Sequence, residues 1–367
     1  MKVIVVAGAR PNFMKVAPLI EALKKAQAGN RDLRFKLVHT GQHYDKQMSK
    51  AFFEALDIPR PDVDLGVGSG SHAGQTGRVM IAFERLLHQE KPDWVVVVGD
   101  VNSTMACTIV AKKGGIRVAH VEAGLRSRDW TMPEEINRVV TDVLCDLLFT
   151  TDQIAIDNLR AEGVAADKIH FVGNVMIDTL LKHRRMAEQL RQWERFGLKP
   201  DTYGVLTLHR PSNVDEKEAF EGILLALETV QKGLPLIFPI HPRTRRMAEG
   251  FGLWEEMNGW PNVHIVEPLG YLEMLSLTSQ ASLILTDSGG LQEEAVVLGV
   301  PCITLRENTE RPITVSVGAN RVVGNRPESI LEAVKKQLSK SRMKFRQPEK
   351  WDGAAAGRII EILLKTA

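Results

Sequence analysis

The sequence predicts an α/β protein made of two Rossmann-like, doubly wound domains facing a central cleft. Three observations carry that expectation. Short, continuously apolar runs alternate with amphipathic helical patterns, the mark of parallel strands covered on both faces. The alternation is interrupted once, by the basic and polar stretch HRRMAEQLRQWERFGLKP at 183–200, and then restarts. The chain has 367 residues, room for two domains of ~100–200 residues each.

In the first half, Val3–Ala7 reads as a strand, GARPN as a loop and FMKVAPLIEALKKA as a helix with Pro11 just before it. Phe35–Thr40 is the next strand, followed by the loop GQHYD and a helix around Met48–Leu56. Residues 59–72 are rich in Pro, Asp and Gly and read as a long loop. Ala73–Gln89 carries an apolar stripe at helical spacing, and Trp94–Gly99 is a strand with four valines. Asn102–Gly114 is a helix, Arg117–Val121 a strand and Pro133–Cys145 a helix; Leu147–Thr151 and Ile169–Val172 are short strands. In the second half the strands are Tyr203–His209, Leu236–Ile240, Val263–Val266, Leu283–Thr286, Cys302–Leu305 and Arg321–Val323, and Gly353–Leu364 is a closing helix.

Composition excludes several classes. Hydrophobic residues make up 44% and charged residues 25%, with a net charge of +2, which is ordinary for a soluble globular protein and argues for neither nucleic acid nor a membrane surface. Cys107, Cys145 and Cys302 lack C-x-x-C or Cys/His spacing and read as small buried hydrophobes of a reducing compartment. The opening apolar burst is too short for a signal sequence, and no run reaches transmembrane length. A cytoplasmic protein is expected. No ligand spacing indicates a metal. Gly68–Ala73 fits G-x-G-x-x-A on paper but follows a poor strand, so no dinucleotide site is expected there.

The polar residues fall just past the apolar runs: Arg10, then Gln42 and His43, Asp100, Glu122, His209, His241 and Asp287-Ser288. In parallel sheets these strand ends all face one way within a domain, where ligands bind. Residues 283–311, LILTDSGGLQEEAVVLGVPCITLRENTER, read as strand, glycine turn, helix and strand. Gly289 and Gly290 would let a phosphate approach bare N–H groups at a helix start. Ser288 can cap that helix or bond a phosphate oxygen. Glu294, repelled by phosphate, suits sugar hydroxyls, and Arg311 is a plausible charge partner. The alternative is a plain tight turn with Glu293 and Glu294 on a solvated face. Arg10 and Lys15 flank another helix start, again an anion site or simply surface bases. Glu134 and Arg138 share a helix face at i, i+4, where a structural ion pair is the simplest reading. Asp100, Glu122 and Glu134 are acids with no evident cationic neighbour but Arg138. Several carboxylates at one site can split into an acid and a base. His209 and His241 each open a polar cluster, HRPSN and HPR.

Ten ordered blocks (GARPNFMKVAPLI, TGQHYD, VVGDVNST, HVEAGLRS, MPEEINR, VGNVMIDTL, LTLHRPSNV, PIHPR, TDSGGLQEEA and GVPCITLRENTERP) span nearly the whole chain. Together they resemble the non-hydrolysing UDP-N-acetylglucosamine 2-epimerases. The resemblance implies the two-domain GT-B arrangement, with residues 1–175 and the C-terminal helix 350–367 in one domain and 176–349 in the other. It implies reversible C2 epimerisation of UDP-GlcNAc and UDP-ManNAc through elimination and re-addition of UDP, no cofactor, a homodimer and a place in cell-surface polysaccharide biosynthesis. By residue it implies Asp100, Glu122 and Glu134 as the acid/base set, with His209 and Lys15 assisting. Arg10, Arg138, His241, Ser288, Gly289, Gly290, Glu294 and Arg311 match positions that hold the UDP phosphates and ribose. Many bacterial members carry Gln-His-Arg in the second motif and a basic residue near Ser69–His72, and bind a second UDP-GlcNAc as activator. This chain has Gln42-His43-Tyr44-Asp45 and GSGSHAG, so such activation is expected to be weak or absent. The other readings are a hydrolysing relative that releases ManNAc and UDP, a 2-epimerase of a 2,3-diacetamido sugar, a glycosyltransferase of the same fold, and a nucleotide-sugar-binding module without turnover. The three acids argue against the last.

Overall fold

A computed structural model describes residues 1–41, 60–338 and 345–366, except the side chains of Arg10 and Pro11. Gln42, His43 and the helix expected around Met48–Leu56 lie outside the described residues. The chain divides into two compact units, Met1–Thr179 with Glu349–Ala367, and Leu180–Pro348.

The first unit is a parallel sheet of seven strands: β1 (Lys2–Ala7), β2 (Arg34–His39), β3 (Val63–Asp64), β4 (Trp94–Val98), β5 (Arg117–Ala123), β6 (Leu147–Thr150) and β7 (Ile169–Phe171). Their order across the sheet is β3-β2-β1-β4-β5-β6-β7, and each pair is parallel. The order reverses between β1 and β4, the switch point at which a doubly wound sheet opens a ligand crevice. Helices α1 (Arg10–Gly29), α2 (His72–Glu90), α3 (Asn102–Lys113), α4 (Pro133–Leu144) and α5 (Gln153–Ala161) connect the strands. The valines of β4 are all buried. Ile4, Val6, Val95 and Val97 share a core with Val79 and Phe83 of α2 and Val110 of α3. An apolar face on both sides of each strand explains why these runs are continuous rather than alternating.

Two local readings need correction. Strand β5 does not stop at Val121 but carries Glu122 and Ala123, with a bulge between Val121 and Ala123. The extra residue is Glu122, at φ 75°; a bulge re-aims one side chain without ending the strand. The long loop 59–72 contains the short strand β3, which pairs with β2 at the sheet edge.

The helix α6 (Val175–Leu190) begins before the stretch read as a linker and leads into a 3₁₀ turn at Gln192–Phe196. In the second unit, β8 (Gly204–Thr207), β9 (Leu236–Pro239), β10 (Val263–Val266), β11 (Leu283–Thr286), β12 (Cys302–Thr304) and β13 (Asn320–Val322) form a parallel sheet in the order β10-β9-β8-β11-β12-β13. Its switch point lies between β8 and β11. Helices α7 (Pro211–Val214), α8 (Lys217–Val230), α9 (Pro242–Gly250), α10 (Trp254–Asn258), α11 (Tyr271–Ser279), α12 (Gly289–Leu298), α13 (Pro312–Ser316) and α14 (Pro327–Leu338) connect it. Leu206, Phe220, Phe238 and Leu285 centre its core.

The last helix, α15 (Ala355–Lys365), returns to the first unit. Asp178 accepts from the N–H groups of Ala355 and Ala356 at 3.1 and 2.8 Å, a carboxylate over a helix start. Burial nonetheless pushes its pKa up to about 6, against those two N–H donors. Among the described residues, no helix is long and apolar enough to cross a membrane, and no group of three or more His, Cys, Asp or Glu could hold a metal ion.

Candidate active site

At the switch point of the first unit, the end of β4 turns through Gly99, which sits at φ 71°. A Cβ there would lie 3.1 Å from Lys15 Nζ and 3.4 Å from Asn12 Nδ2. The left-handed backbone therefore favours glycine here, and side chains of α1 crowd the same point. Asn12 fastens α1 to this turn: its Oδ1 accepts from Ala9 N at 2.9 Å and its Nδ2 donates to Val98 O at 3.1 Å.

Asp100 follows Gly99 directly. Arg138, on α4, donates to Asp100 Oδ2 from both Nε and Nη2, at 3.0 and 2.8 Å. Its third nitrogen, Nη1, donates to Glu135. Asp100 and Glu135 thus hold Arg138 from two sides; the i, i+4 reading offers only Glu134 on the same helix. Glu134 sits half-buried in the first turn of α4, one residue away.

Glu122 is 4% exposed and forms an ion pair with Lys15 Nζ. The acid read as lacking a cationic neighbour has one, supplied from α1 across the sheet. Lys15 therefore faces Glu122 instead of simply flanking the start of α1. The Arg10 side chain lies outside the described residues.

A buried network supports this corner. His120 lies between Asp142 and the Gly99 carbonyl, with ring nitrogens 2.6 Å from Asp142 Oδ1 and 2.8 Å from Gly99 O. Asp142 also accepts from Gly124 N at 3.0 Å and pairs with Arg126 Nη1 at 2.7 Å. Burial would raise its pKa, but the His120 and Arg126 contacts hold it below the usual carboxylate range. The carbonyl of Gly99 and the strand bearing Glu122 are thus tied to one buried cluster.

At the switch point of the second unit, Asp287 plays the joining role. It is fully buried. Its Oδ2 accepts from the N–H of His209 at 2.9 Å, of Arg210 at 2.8 Å and from Asn213 Nδ2 at 3.2 Å. Its Oδ1 lies 2.9 Å from His209 Nδ1. Burial opposes ionisation, yet His209 and these N–H groups keep the carboxyl below its ordinary pKa. An anionic Asp287 orients the imidazole through Nδ1, leaving Nε2 to face away from it. The His241 ring lies 5.6 Å from that of His209. His241 Nδ1 accepts from Arg243 N at 3.1 Å, capping α9. Burial first, then the neighbouring His209, lowers its pKa, so His241 is a neutral donor through Nε2.

The glycine turn builds the start of α12. Ser288 is its N-cap, and its hydroxyl makes no capping bond to the helix. A Cβ on Gly289 would meet Glu310 Oε1 at 2.5 Å, so the Glu310 carboxylate would have to shift to admit one. A Cβ on Gly290 would meet nothing within 4 Å; protein packing gives no reason for glycine there. The two glutamates do not form a solvated face. Glu293 is 1% exposed and pairs with Arg311 Nε at 2.8 Å. Glu294 is also buried, and burial lifts its pKa to about 7, a rise the Tyr271 hydroxyl partly offsets. Near neutrality that carboxyl can both accept and donate a hydrogen bond.

Sequence reasoning passed over Glu135, His120, Asp142 and Tyr271, and it placed Asp287 past its strand without giving it a role. Asp287 and Glu135 sit inside quoted motifs, beside a residue that was chosen. His120 and Asp142 sit on buried elements where a polar residue is itself the signal.

Residues 25–364 match the family model for UDP-N-acetylglucosamine 2-epimerase. A curated UDP-N-acetylglucosamine 2-epimerase of Methanocaldococcus jannaschii is 46% identical over 370 residues, covering 99% of each chain. The crystal structure of the enzyme of that name from the same organism, in complex with UDP-GlcNAc and UDP, superposes with a TM-score of 0.92 at 45% identity over 100% of both chains. A UDP-2,3-diacetamido-2,3-dideoxy-D-glucuronate 2-epimerase of Pseudomonas aeruginosa is 41% identical over 369 residues, covering 100% of each.

Proposed function

The chain belongs to the UDP-N-acetylglucosamine 2-epimerase family, and from that premise we propose the route by which it inverts C2 of UDP-GlcNAc. It is an enzyme of the isomerase class, a non-hydrolysing 2-epimerase. In the proposed route the C2 proton leaves to one carboxylate as the C1–O bond breaks and its electron pair departs with UDP. The C1–C2 double bond so formed is that of 2-acetamidoglucal. UDP then returns to C1, and a proton is delivered to the opposite face of C2.

The observation that supports this most directly is the meeting of Asp100, Glu122 and Lys15 at the Gly99 turn. A proton not activated by a carbonyl needs a base at the moment a stabilised anion leaves. Inversion needs a second proton-handling group for the other face. Asp100, Glu122 and Glu134 supply those groups, and Lys15 compensates the charge on Glu122. Ser288, Gly289 and Gly290 at the start of α12 suit the diphosphate, with His209 and His241 presenting Nε2 to it. Glu294 suits the ribose diol. Arg311 is held beside the same helix by Glu293, and the family resemblance assigns Arg10 and Arg138 to the phosphates as well. The homodimer is part of this reading.

Incubation with UDP-GlcNAc in D2O is the test. Deuterium at C2 of both epimers without accumulation of UDP is expected. Accumulating UDP would select hydrolysis, and absence of C2 exchange would sink the elimination route. The P. aeruginosa relative makes the diacetamido uronate the second substrate to offer, since its C2 chemistry is the same.

A second expected result concerns Gly290. Because a Cβ there meets no atom of the described residues within 4 Å, Gly290→Ala should leave the melting temperature unchanged or slightly raised, since alanine favours a helix. It should weaken UDP about tenfold or more, because a methyl group displaces a charged acceptor from helix N–H donors. Calorimetric UDP titration with unchanged affinity would place the diphosphate elsewhere.

A further inference from the structure

The segment MPEEINR contains two adjacent acids, and the structure separates them sharply. Glu134 is half-buried in the first turn of α4. Glu135 is 1% exposed and saturated with donors. Its Oε2 accepts from Ser127 N at 2.9 Å and Ser127 Oγ at 3.1 Å, its Oε1 from Arg128 N at 2.9 Å, and Arg138 Nη1 completes the set. Burial works against its charge, but these donors more than offset it and hold the carboxyl below its usual range. Glu135 is a fixed anion.

That anion stands directly behind the guanidinium that grips Asp100. Arg138 is itself 2% exposed. A guanidinium is planar and offers its donors in a rigid fork. With Nη1 pinned by Glu135, the opposite edge, Nε and Nη2, can point in one direction only, onto Asp100 Oδ2. The three groups carry a net charge of −1 in place of the neutral pair that Arg138 and Asp100 would make alone. Glu135 therefore acts on Asp100 in two ways: it orients the fork, and it offsets part of the positive charge that would otherwise make Asp100 a poor proton acceptor.

We propose that Glu135 is a positioning residue of the epimerisation, holding Arg138 from behind so that Asp100 keeps both its orientation and its basicity. This rests on the epimerase reading above. Other charges face the same corner and bear on its titration: the Glu122–Lys15 pair at Gly99, His120 with Asp142 beneath the Gly99 carbonyl, and Glu134 on α4 itself. Asn137, which donates to the Asp100 carbonyl at 2.8 Å, is neutral.

The experiment is the pH dependence of kcat and KM for UDP-GlcNAc in wild type, Glu135→Gln and Glu135→Asp. In Glu135→Gln the isosteric amide removes the charge and turns a donor toward the N–H groups it should accept from. Its kcat should fall roughly tenfold or more with KM within about threefold. The acidic limb should move down by about one pH unit, because a unit charge lost a few ångströms from Asp100 no longer raises its proton affinity. Glu135→Asp restores the charge, so its limb should lie at the wild-type position with part of the rate recovered. A merely structural role would lower the amount of active enzyme and leave the limb in place, and that outcome overturns the proposal. If Glu135→Gln does not fold, Glu135→Asp alone decides. The shorter side chain reaches Arg138 poorly, so with active sites counted by UDP titration a lowered kcat per site at unchanged KM supports the proposal, and wild-type kcat per site overturns it. Deuterium incorporation by the wild-type enzyme separates the two levels. Without it the epimerase reading itself fails; with it, an unshifted Glu135→Gln profile removes only the role of Glu135.

Discussion

Asp100→Asn and Glu122→Gln are each expected to lower turnover by roughly 10²–10⁴-fold, the usual worth of a general acid or base, while UDP affinity changes little. The two substitutions keep shape and remove a proton-handling group. Asp100→Asn leaves an oxygen that can still accept from the Arg138 fork, so the loss reports chemistry more than displacement. Glu122→Gln leaves the ammonium of Lys15 beside a neutral amide, and an uncompensated, largely buried charge adds a stability cost. Melting curves accompany the kinetics for that reason. In the proposed route neither carboxylate binds UDP, so UDP affinity serves as the internal control. A rate near wild type in either variant removes that carboxylate from the acid/base set.

Gly124→Ala is expected to cost about 3 kcal/mol of stability, combining a left-handed backbone penalty with overpacking. Gly124 sits at φ 81°, and an added Cβ would lie 2.4 Å from the carbonyl oxygen of Ala155. That obstacle is backbone, the body of α5, and cannot swing aside. Gly163 is the matched control: it has the same φ of 81°, and a Cβ there would meet nothing within 4 Å. Gly163→Ala should cost only the backbone part, ~1–2 kcal/mol. Calorimetry on the two variants separates strain from collision. Equal losses at both positions would mean that α5 yields, and that the close approach at Gly124 is not a constraint. Because Gly124 N donates to Asp142, the displaced β5 end should also carry Glu122 out of register and lower kcat.

The alternation of apolar runs was enough to read two parallel sheets, because a strand buried on both faces leaves a continuous apolar trace. The polar residues past those runs were legible for the same reason: in such a sheet, strand ends are where backbone stops filling space and side chains begin to serve a ligand. Boundaries within the site were less legible. Glu122 looked like a residue after a strand, and a bulge made it part of one. Glu134 was singled out by its i, i+4 spacing to Arg138 and by the family resemblance, and nothing in MPEEINR shows that Glu135 is the one turned inward. Only the rotation of α4 about its axis turns one of them to the core. The pairing of Lys15 with Glu122 joins residues 107 positions apart in number and depends on β1 and β5 lying on either side of β4.

Read alone, the chain determined its class, the polarity of its strands, the positions of its chemical groups and, through ten ordered motifs, its resemblance to a family. These follow from local spacing, and local spacing is printed in sequence. Only the tertiary structure decided which carboxylate each cation faces, which of two neighbouring glutamates is buried, and that Gly289 is held by Glu310 while Gly290 is not. Those outcomes depend on distances between elements far apart along the chain. Electrostatic and steric energies act over a few ångströms of space, whatever the number of residues between.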